Sequence, residues 1–366
     1  MSTPKRYIGI MSGTSLDGID VVAVEFCEAA PPVLLGHCYL PYDDPLRSEL
    51  LALNSPGDNE LERCALAGNA LSRLYAAAVG KLLAQSGLQS RQIHAIGCHG
   101  QTVRHRPELG YTVQLVNPSL LAELCGIQVA ADFRSRDIAA GGQGAPLVPA
   151  FHAALFRHPA IHRVVANIGG IANLTDLPPD GRIHGFDCGP GNLLMDHWAA
   201  RHLGTAYDNG GEWALSGNVI PKLLSSMLAD PFFATPPPKS TGRDLFNPSW
   251  LQKHVSTLHR PADVQATLLD LTAHAIADAI ATHCHGAREL YLCGGGARNT
   301  ALVQRLKFLL PEMTMTATDT LGVPVDQVEA LAFAWLAKQT LNGEAGNLPE
   351  VTGAKGLRIL GALYPT

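Results

Sequence analysis

"RYIGIMSGTSLDGIDVVAVEF", residues 6–26, reads as two β-strands joined by a glycine-rich turn. The β-branched run "IDVVAVEF", 19–26, carries the second strand. A related unit, strand–Gly-Gly–strand, recurs at "HRVVANIGGIANLTDL", residues 162–177. Each hairpin heads about half of the chain. That arrangement predicts two sheet lobes sharing one nucleotide, and so points to phosphoryl transfer.

Bulk properties agree with a two-lobe enzyme. A chain of 366 residues exceeds what one compact core usually holds. With 46% hydrophobic and 16% charged residues it supports a large core and is not disordered. The net charge of −5 supplies no basic excess for a nucleic-acid backbone. The start "MSTPKRYIGIMSG" has no apolar signal core, and no apolar run approaches the roughly 20 residues that span a bilayer. The eight cysteines are scattered without Cys-x-x-Cys pairs, so the expectation is neither a zinc knuckle nor a disulfide framework, but a reducing cytoplasm.

The remaining pattern is strand–helix alternation. "LERCALAGNALSRLYAAAVGKLLAQS", 61–86, has helical spacing and stops at Gly87. "IHAIGCHG", 93–100, reads as a buried strand ending in a glycine turn. In the second half, "VQATLLDLTAHAIADAIATHC", 264–284, is a helix closed by Gly286. "ELYLCGGG", 289–296, is a strand running into glycines, and "NTALVQRLKFLL", 299–310, is a helix with Asn299 as N-cap. Both halves therefore share the order hairpin, long helix, strand, glycine turn. Polar, Gly-rich joints are expected near 130–146 and 342–356. They place residues 1–130 with 345–366 in a first lobe and 131–344 in a second. The proline-rich stretch 230–248 reads as a surface loop or lid. The final "GLRILGALYPT" reads as a strand returning to the first lobe.

The turns carry the candidate chemistry. "MSGTSLDG" places Gly13, Thr14, Ser15 and Gly18 between strands, so inward N–H groups and hydroxyls form an anion nest. It is not a Walker A loop: Gly-Lys-Ser/Thr is missing and a strand follows. "CGGGARN" lacks dinucleotide-fold spacing but leaves bare backbone against which an adenine or phosphate can lie. Asp17 orders its turn or faces magnesium through water. Asp187, at the end of a short strand before "CGPGN" and a helix, sits where α/β proteins place chemistry; an Asp that stabilises its own turn is the alternative. Glu329 interrupts the apolar stripe 325, 329, 332, 336 and calls for a hydroxyl or arginine partner, unless that position is an exposed edge. His99, Gln101, Arg104, His105 and Arg106 suit a polyhydroxylated ligand or a solvated loop. Arg134 and Arg136 suit a carboxylate or phosphate, or paired surface charge. "HCH", 283–285, does not converge on one metal ion.

With these residues in view the chain closely resembles the bacterial anhydro-N-acetylmuramic acid kinase family. The resemblance runs nearly end to end, through "GIMSGTSLDGID", "CHGQT", "DFRSRDIAAGGQGAPLVP", "NIGGIANLT", "FDCGPGN", "CGGGARN" and "VEALAFAWLA". It implies an α/β, two-lobe actin/hexokinase/Hsp70-like (ASKHA) ATPase fold with mixed sheets flanked by helices, a homodimer, and ATP with Mg²⁺ in the cleft. By this resemblance the phosphate loop is Gly13, Thr14, Ser15, Leu16, Asp17, Gly18, Ile19 and Asp20. Gly169 and Gly170 belong to the nucleotide site, and Gly294, Gly295 and Gly296 lie near the nucleoside. Asp187 is the implied general base, taking a proton from the water that attacks the anomeric carbon of 1,6-anhydro-N-acetylmuramic acid. The released O6 then attacks the γ-phosphate. Glu329 would hold the sugar with His99 and Gln101, and Arg136 is expected at the lactyl carboxylate from charge complementarity. The expected products are N-acetylmuramate 6-phosphate and ADP, in peptidoglycan recycling.

Overall fold

A computed structural model describes residues 4–13, 16–27, 31–243 and 245–366. The chain divides into two compact units, residues 1–151 with 327–366, and residues 152–326. The first unit starts with three antiparallel strands, β1 (Lys5–Met11), β2 (Gly18–Phe26) and β3 (Val33–Pro41). The helix Glu60–Ser86 follows and ends at Gly87, whose left-handed φ of 66° provides the cap. Leu71, Tyr75, Ala78, Val79 and Leu82 form its buried stripe. Next comes β4 (Ala95–Cys98), parallel to β1, then the hairpin β5 (Gln101–Arg106) and β6 (Tyr111–Leu115), then β7 (Val129–Ala131), parallel to β4.

The second unit repeats this plan. Its meander is β8 (Arg163–Ile168), β9 (Ile171–Leu177) and β10 (His184–Pro190). After the helix Pro261–His283 come β11 (Glu289–Cys293), parallel to β8, and β12 (Thr314–Ala317), parallel to β11. The helix Thr300–Leu309 between them is capped by the Asn299 side chain, which accepts from Leu302 N at 3.1 Å. The chain then returns to the first unit through helix Val328–Asn342 and the last strand, β13 (Ala362–Tyr364), which pairs with β7.

Strand order makes the repetition explicit. The first sheet runs β13-β7-β4-β1-β2-β3 and the second β10-β9-β8-β11-β12. In both, the first strand of the meander lies inside the sheet, with the rest of the meander on one side and two parallel strands on the other, to which the first sheet adds β13, antiparallel, at its edge. Each unit has its own apolar core, one around Ile8, Val21, Tyr75 and Ile96, the other around Val164, Leu174, Phe186 and Leu271.

The observed boundaries differ from the expected joints. Residues 131–151 and 327–344, expected in the second lobe, lie in the first unit. Asp137, 0% exposed, shows why. Its carboxylate accepts from Gly144 N, Asn347 Nδ2 and Thr352 Oγ1, each at 2.8 Å. Both glycine-rich stretches are thereby sewn into one buried polar knot. The 328–342 helix is bound to the first sheet even more closely. A Cβ on Gly9 would lie 1.8 Å from the Ala330 carbonyl oxygen, and one on Gly97 would lie 2.0 Å from that of Phe333. Gly9 and Gly97 are register partners on β1 and β4, so together they open the trough in which this helix rests. Among the described residues no helix is long and apolar enough to cross a membrane.

Candidate active site: one constellation in each unit

In the first unit the turn between β1 and β2 rests on buried polar groups. The Ser12 hydroxyl donates to the Gly100 carbonyl (3.0 Å), which leaves its oxygen to accept from Tyr75 OH (3.0 Å). Tyr42 OH donates to Gln101 Oε1 (3.2 Å), and Gln101 Nε2 donates to the Gly13 carbonyl (3.1 Å). Burial holds both tyrosines protonated, Tyr42 raised to about 12 and Tyr75 well above its ordinary value. Gln101 is 0% exposed, so in this structure it supports the turn rather than presenting an open amide.

His99 also has both ring nitrogens engaged. Nδ1–H points at the Ser12 carbonyl (3.3 Å), while Nε2 accepts from Arg134 Nε (3.1 Å) and Nη2 (2.9 Å). Accepting from a guanidinium requires a neutral ring. Burial, reinforced by the Arg134 charge, accordingly pushes the His99 pKa down to about 3. Arg134 also donates to the Gly144 carbonyl (2.8 Å). Burial lowers its pKa to about 10, opposed by the charges of Glu329 and Asp137, so it remains a cation at neutral pH. Glu329 sits in the first turn of the 328–342 helix, half-buried and within the field of Arg134. The structure thus brings His99, Arg134 and Glu329 together. Arg136 is instead exposed on the short helix Ser135–Ala139.

The expected phosphate-loop residues divide. Thr14 and Ser15 lie outside the described residues. Asp17 is exposed; its Oδ1 accepts from Gly18 N (3.1 Å) and its carbonyl accepts from Tyr42 N (3.1 Å). Gly18 is required by packing, since a Cβ there would lie 2.5 Å from the Leu40 carbonyl oxygen. Leu16, at a left-handed φ of 57°, and Ile19 bury their side chains in the core; Leu16 N donates to the Gly13 carbonyl (3.3 Å) and Ile19 pairs with Leu40 on β3. Asp20, on β2, meets His37 Nε2 at 3.0 Å.

In the second unit Asp187 lies on β10, opposite Asn173, beside an irregularity in the pairing with β9. The segment following helix Pro231–Ala234 clamps it. Asp187 N donates to the Lys239 carbonyl (3.1 Å), and Asp187 Oδ2 accepts from Thr241 N (2.9 Å). Burial raises the carboxyl pKa to about 6, opposed by the Thr241 hydrogen bond and the Lys239 charge. A partly accessible carboxylate with this affinity for protons suits general-base work near neutral pH. The 230–248 stretch, expected as a surface loop or lid, has many exposed residues and is anchored as a strap. Phe246 is 0% exposed, and Trp250 Nε1 donates to Asp230 Oδ2 at 2.8 Å. Lys239 and Thr241 carried no local signal; their partner lies on a strand some fifty residues earlier.

The glycine turns of this unit converge near Asn192. The Gly169 and Gly170 carbonyls accept from Asn192 N (2.8 Å), Gly191 N (2.9 Å) and Leu193 N (3.1 Å) at the start of helix Leu193–Leu203. Asn192 Nδ2 donates to the Ile168 carbonyl (3.1 Å). Gly295 is exposed, and a Cβ on it would meet nothing closer than Asn192 Nδ2 at 3.6 Å. Gly294 and Gly296 are packed tightly on the end of β8, where Cβ atoms would lie 2.5 Å from Asn167 Oδ1 and 2.2 Å from Ile168 Cγ2.

Two α/β units of matching strand order, one bearing a glycine-turn loop and the other a strand carboxylate beside glycine turns, define the actin/hexokinase/Hsp70-like class. The anhydro-N-acetylmuramic acid kinase family model matches residues 5–366, and the chain belongs to that family. A relative of that name from Nitrosospira multiformis is 59% identical, covering 98% of each chain. Another, from Nitrosomonas europaea, is 57% identical, covering 98% of this chain and 99% of the relative. A solved structure, the (R)-2-hydroxyglutaryl-CoA dehydratase component A of Acidaminococcus fermentans, matches at 12% identity and a TM-score of 0.47, covering 90% of this chain and 96% of that one. The protein is thus a kinase, transferring a phosphoryl group to a sugar hydroxyl.

Proposed function

We propose that this kinase opens the 1,6-anhydro ring of its sugar with water and phosphorylates the released oxygen in the same turnover. The observation that carries this reading is Asp187, a clamped carboxylate whose pKa is raised to about 6. Asp187 takes one proton from water as the water oxygen bonds to the anomeric carbon. The bond from that carbon to O6 breaks, and O6 attacks the γ-phosphorus of ATP, displacing ADP. One water, one anhydrosugar and one ATP become N-acetylmuramate 6-phosphate, ADP and a proton, which leaves Asp187 to solvent. Carboxylate-assisted attack by water inverts the anomeric centre.

In this reading the first unit is the lobe of the phosphate loop, residues 13–20, and the second provides Asp187 and the turns at Gly169–Gly170 and Gly294–Gly296. The bare backbone at Gly169, Gly170 and Gly295 fits a nucleotide. Among the described residues no three His, Cys, Asp or Glu side chains gather to hold a metal. In this reading Mg²⁺ would be held mainly by phosphate oxygens and water, with Asp17 or Asp20 as outer partners. The ion would neutralise charge on the transferred phosphoryl group. Glu329 and Arg134 are suited to the sugar's hydroxyl and carboxylate groups, with His99 and Gln101 beneath them. The eight free cysteines are compatible with a reducing cytoplasm, and the family resemblance supports a homodimer in peptidoglycan recycling.

The test is turnover of Mg·ATP and 1,6-anhydro-N-acetylmuramic acid in ¹⁸O-labelled water, read by mass spectrometry. The expected product is 6-phosphorylated, with one ¹⁸O at the anomeric carbon acquired during transfer. Sugar-dependent ADP without that label, or turnover of reducing sugars alone, would identify an ordinary hexosamine kinase instead.

A further inference from the structure

We propose that Lys239 is a positioning residue for Asp187, holding the strap that clamps the carboxylate. This rests on the reading of Asp187 as the base. Lys239 Nζ donates to the carbonyls of Phe232 (3.2 Å) and Phe233 (3.3 Å), and lies 4.6 Å from the centre of the Phe232 ring. A lysine held this way has exchanged water for carbonyl oxygens at the end of helix Pro231–Ala234, where the Phe232 carbonyl also accepts from Thr235 N (3.2 Å). The same residue's carbonyl accepts Asp187 N, and two residues on Thr241 N reaches the Asp187 carboxylate. One side chain therefore fixes the stretch that holds the base by both backbone and side chain.

The other end of the clamp is packed. Gly189, two residues beyond Asp187, has a φ of 149°, and a Cβ there would lie 2.7 Å from the Phe233 ring. Phe233 thus seats directly on β10, and Lys239 is tied to the Phe233 carbonyl. The Cys188 thiol is the titratable neighbour of Asp187, and the Lys239 charge also reaches His283, at the end of helix Pro261–His283, on which His285 and His184 act as well. Burial keeps Cys188 protonated, and burial followed by the Lys239 charge lowers His283. Against burial, the Thr241 hydrogen bond and then the Lys239 charge lower the Asp187 pKa, and both belong to the segment that Lys239 fixes.

A bystander that merely packs the strap would alter kcat or stability without moving the ionisation of Asp187. The experiment is the pH dependence of kcat/KM for the wild type, Lys239→Met, Lys239→Arg and Asp187→Asn. Lys239→Met should raise the midpoint of the acidic limb by roughly half a unit or more and lower kcat, and Lys239→Arg should restore the wild-type midpoint. A Lys239→Met midpoint equal to wild type, with Asp187→Asn inactive, overturns the proposal. Substantial turnover by Asp187→Asn instead removes the base itself. Should Lys239→Met not fold, Lys239→Gln reports the same midpoint.

Discussion

Replacing Asp187 with asparagine should abolish turnover and, at neutral pH, make the protein more stable. The carboxyl pKa is raised from 3.8 to about 6 by burial in the folded protein. The folded state therefore binds the proton more tightly than the unfolded chain. The stabilisation from this group is complete below pH 3.8 and is lost as pH rises through about 6. A shift of about two units corresponds to roughly 3 kcal/mol lost by pH 7.5, against about 1 kcal/mol at pH 4.5. Asparagine keeps an acceptor for Thr241 N and never ionises. The stability gap between variant and wild type should consequently widen by about 2 kcal/mol across that window. Urea unfolding of both proteins at several pH values measures the gap. A gap that does not change with pH would refute the argument, because it would mean that Asp187 ionises as freely in the folded protein as in the unfolded chain. Such a trade of stability for a poised group is common at active sites.

Three further outcomes follow from the same geometry. In steady-state assays, kcat/KM should fall about tenfold per pH unit below about 6, as Asp187 takes up its proton; a flat profile down to pH 5 would remove it as the base. Asp137→Ala leaves Gly144 N, Asn347 and Thr352 without their shared acceptor and should cost about 3 kcal/mol in chemical denaturation; a loss under about 1 kcal/mol would show that the knot is not structural. Gly97→Ala should displace the 328–342 helix from its trough, costing roughly 3 kcal/mol and raising the sugar KM through Glu329; unchanged stability and KM would contradict the close approach.

Much of this protein was legible from local pattern. Helices at 60–86, 261–283 and 300–309 announce themselves through apolar spacing and through stops or caps such as Gly87 and Asn299, which act within a turn of the residues they serve. The alternation of hairpins, helices and strands foretold two similar halves, and the motifs indicated the family. Misreading began where composition stood in for contact. The stretches at 130–146 and 342–356 are rich in glycine, as joints often are, but Asp137 binds Thr352 across 215 positions of sequence and makes them one buried knot. The prolines of 230–248 suggested a surface loop or lid, and many of its residues are exposed, but that the Lys239 carbonyl and the Thr241 amide hold Asp187 could not be read from pattern.

The sequence by itself determined the elements, the two-part plan and the residue types available for catalysis, because propensity, capping and hydrophobic period act between near neighbours. Tertiary structure alone decided which of those residues are available and in what state. Arg134 meets His99 while Arg136 faces solvent, two positions apart, because a helical turn sends them in different directions. Gln101 and His99 spend their hydrogen-bonding atoms on Gly13, Tyr42, Ser12 and Arg134. The Asp187 carboxyl has its pKa raised to about 6 only because burial disfavours its charge more than one amide and one cation from a distant segment favour it. Desolvation and long-range hydrogen bonding are properties of the assembled core, and no local window of sequence contains them.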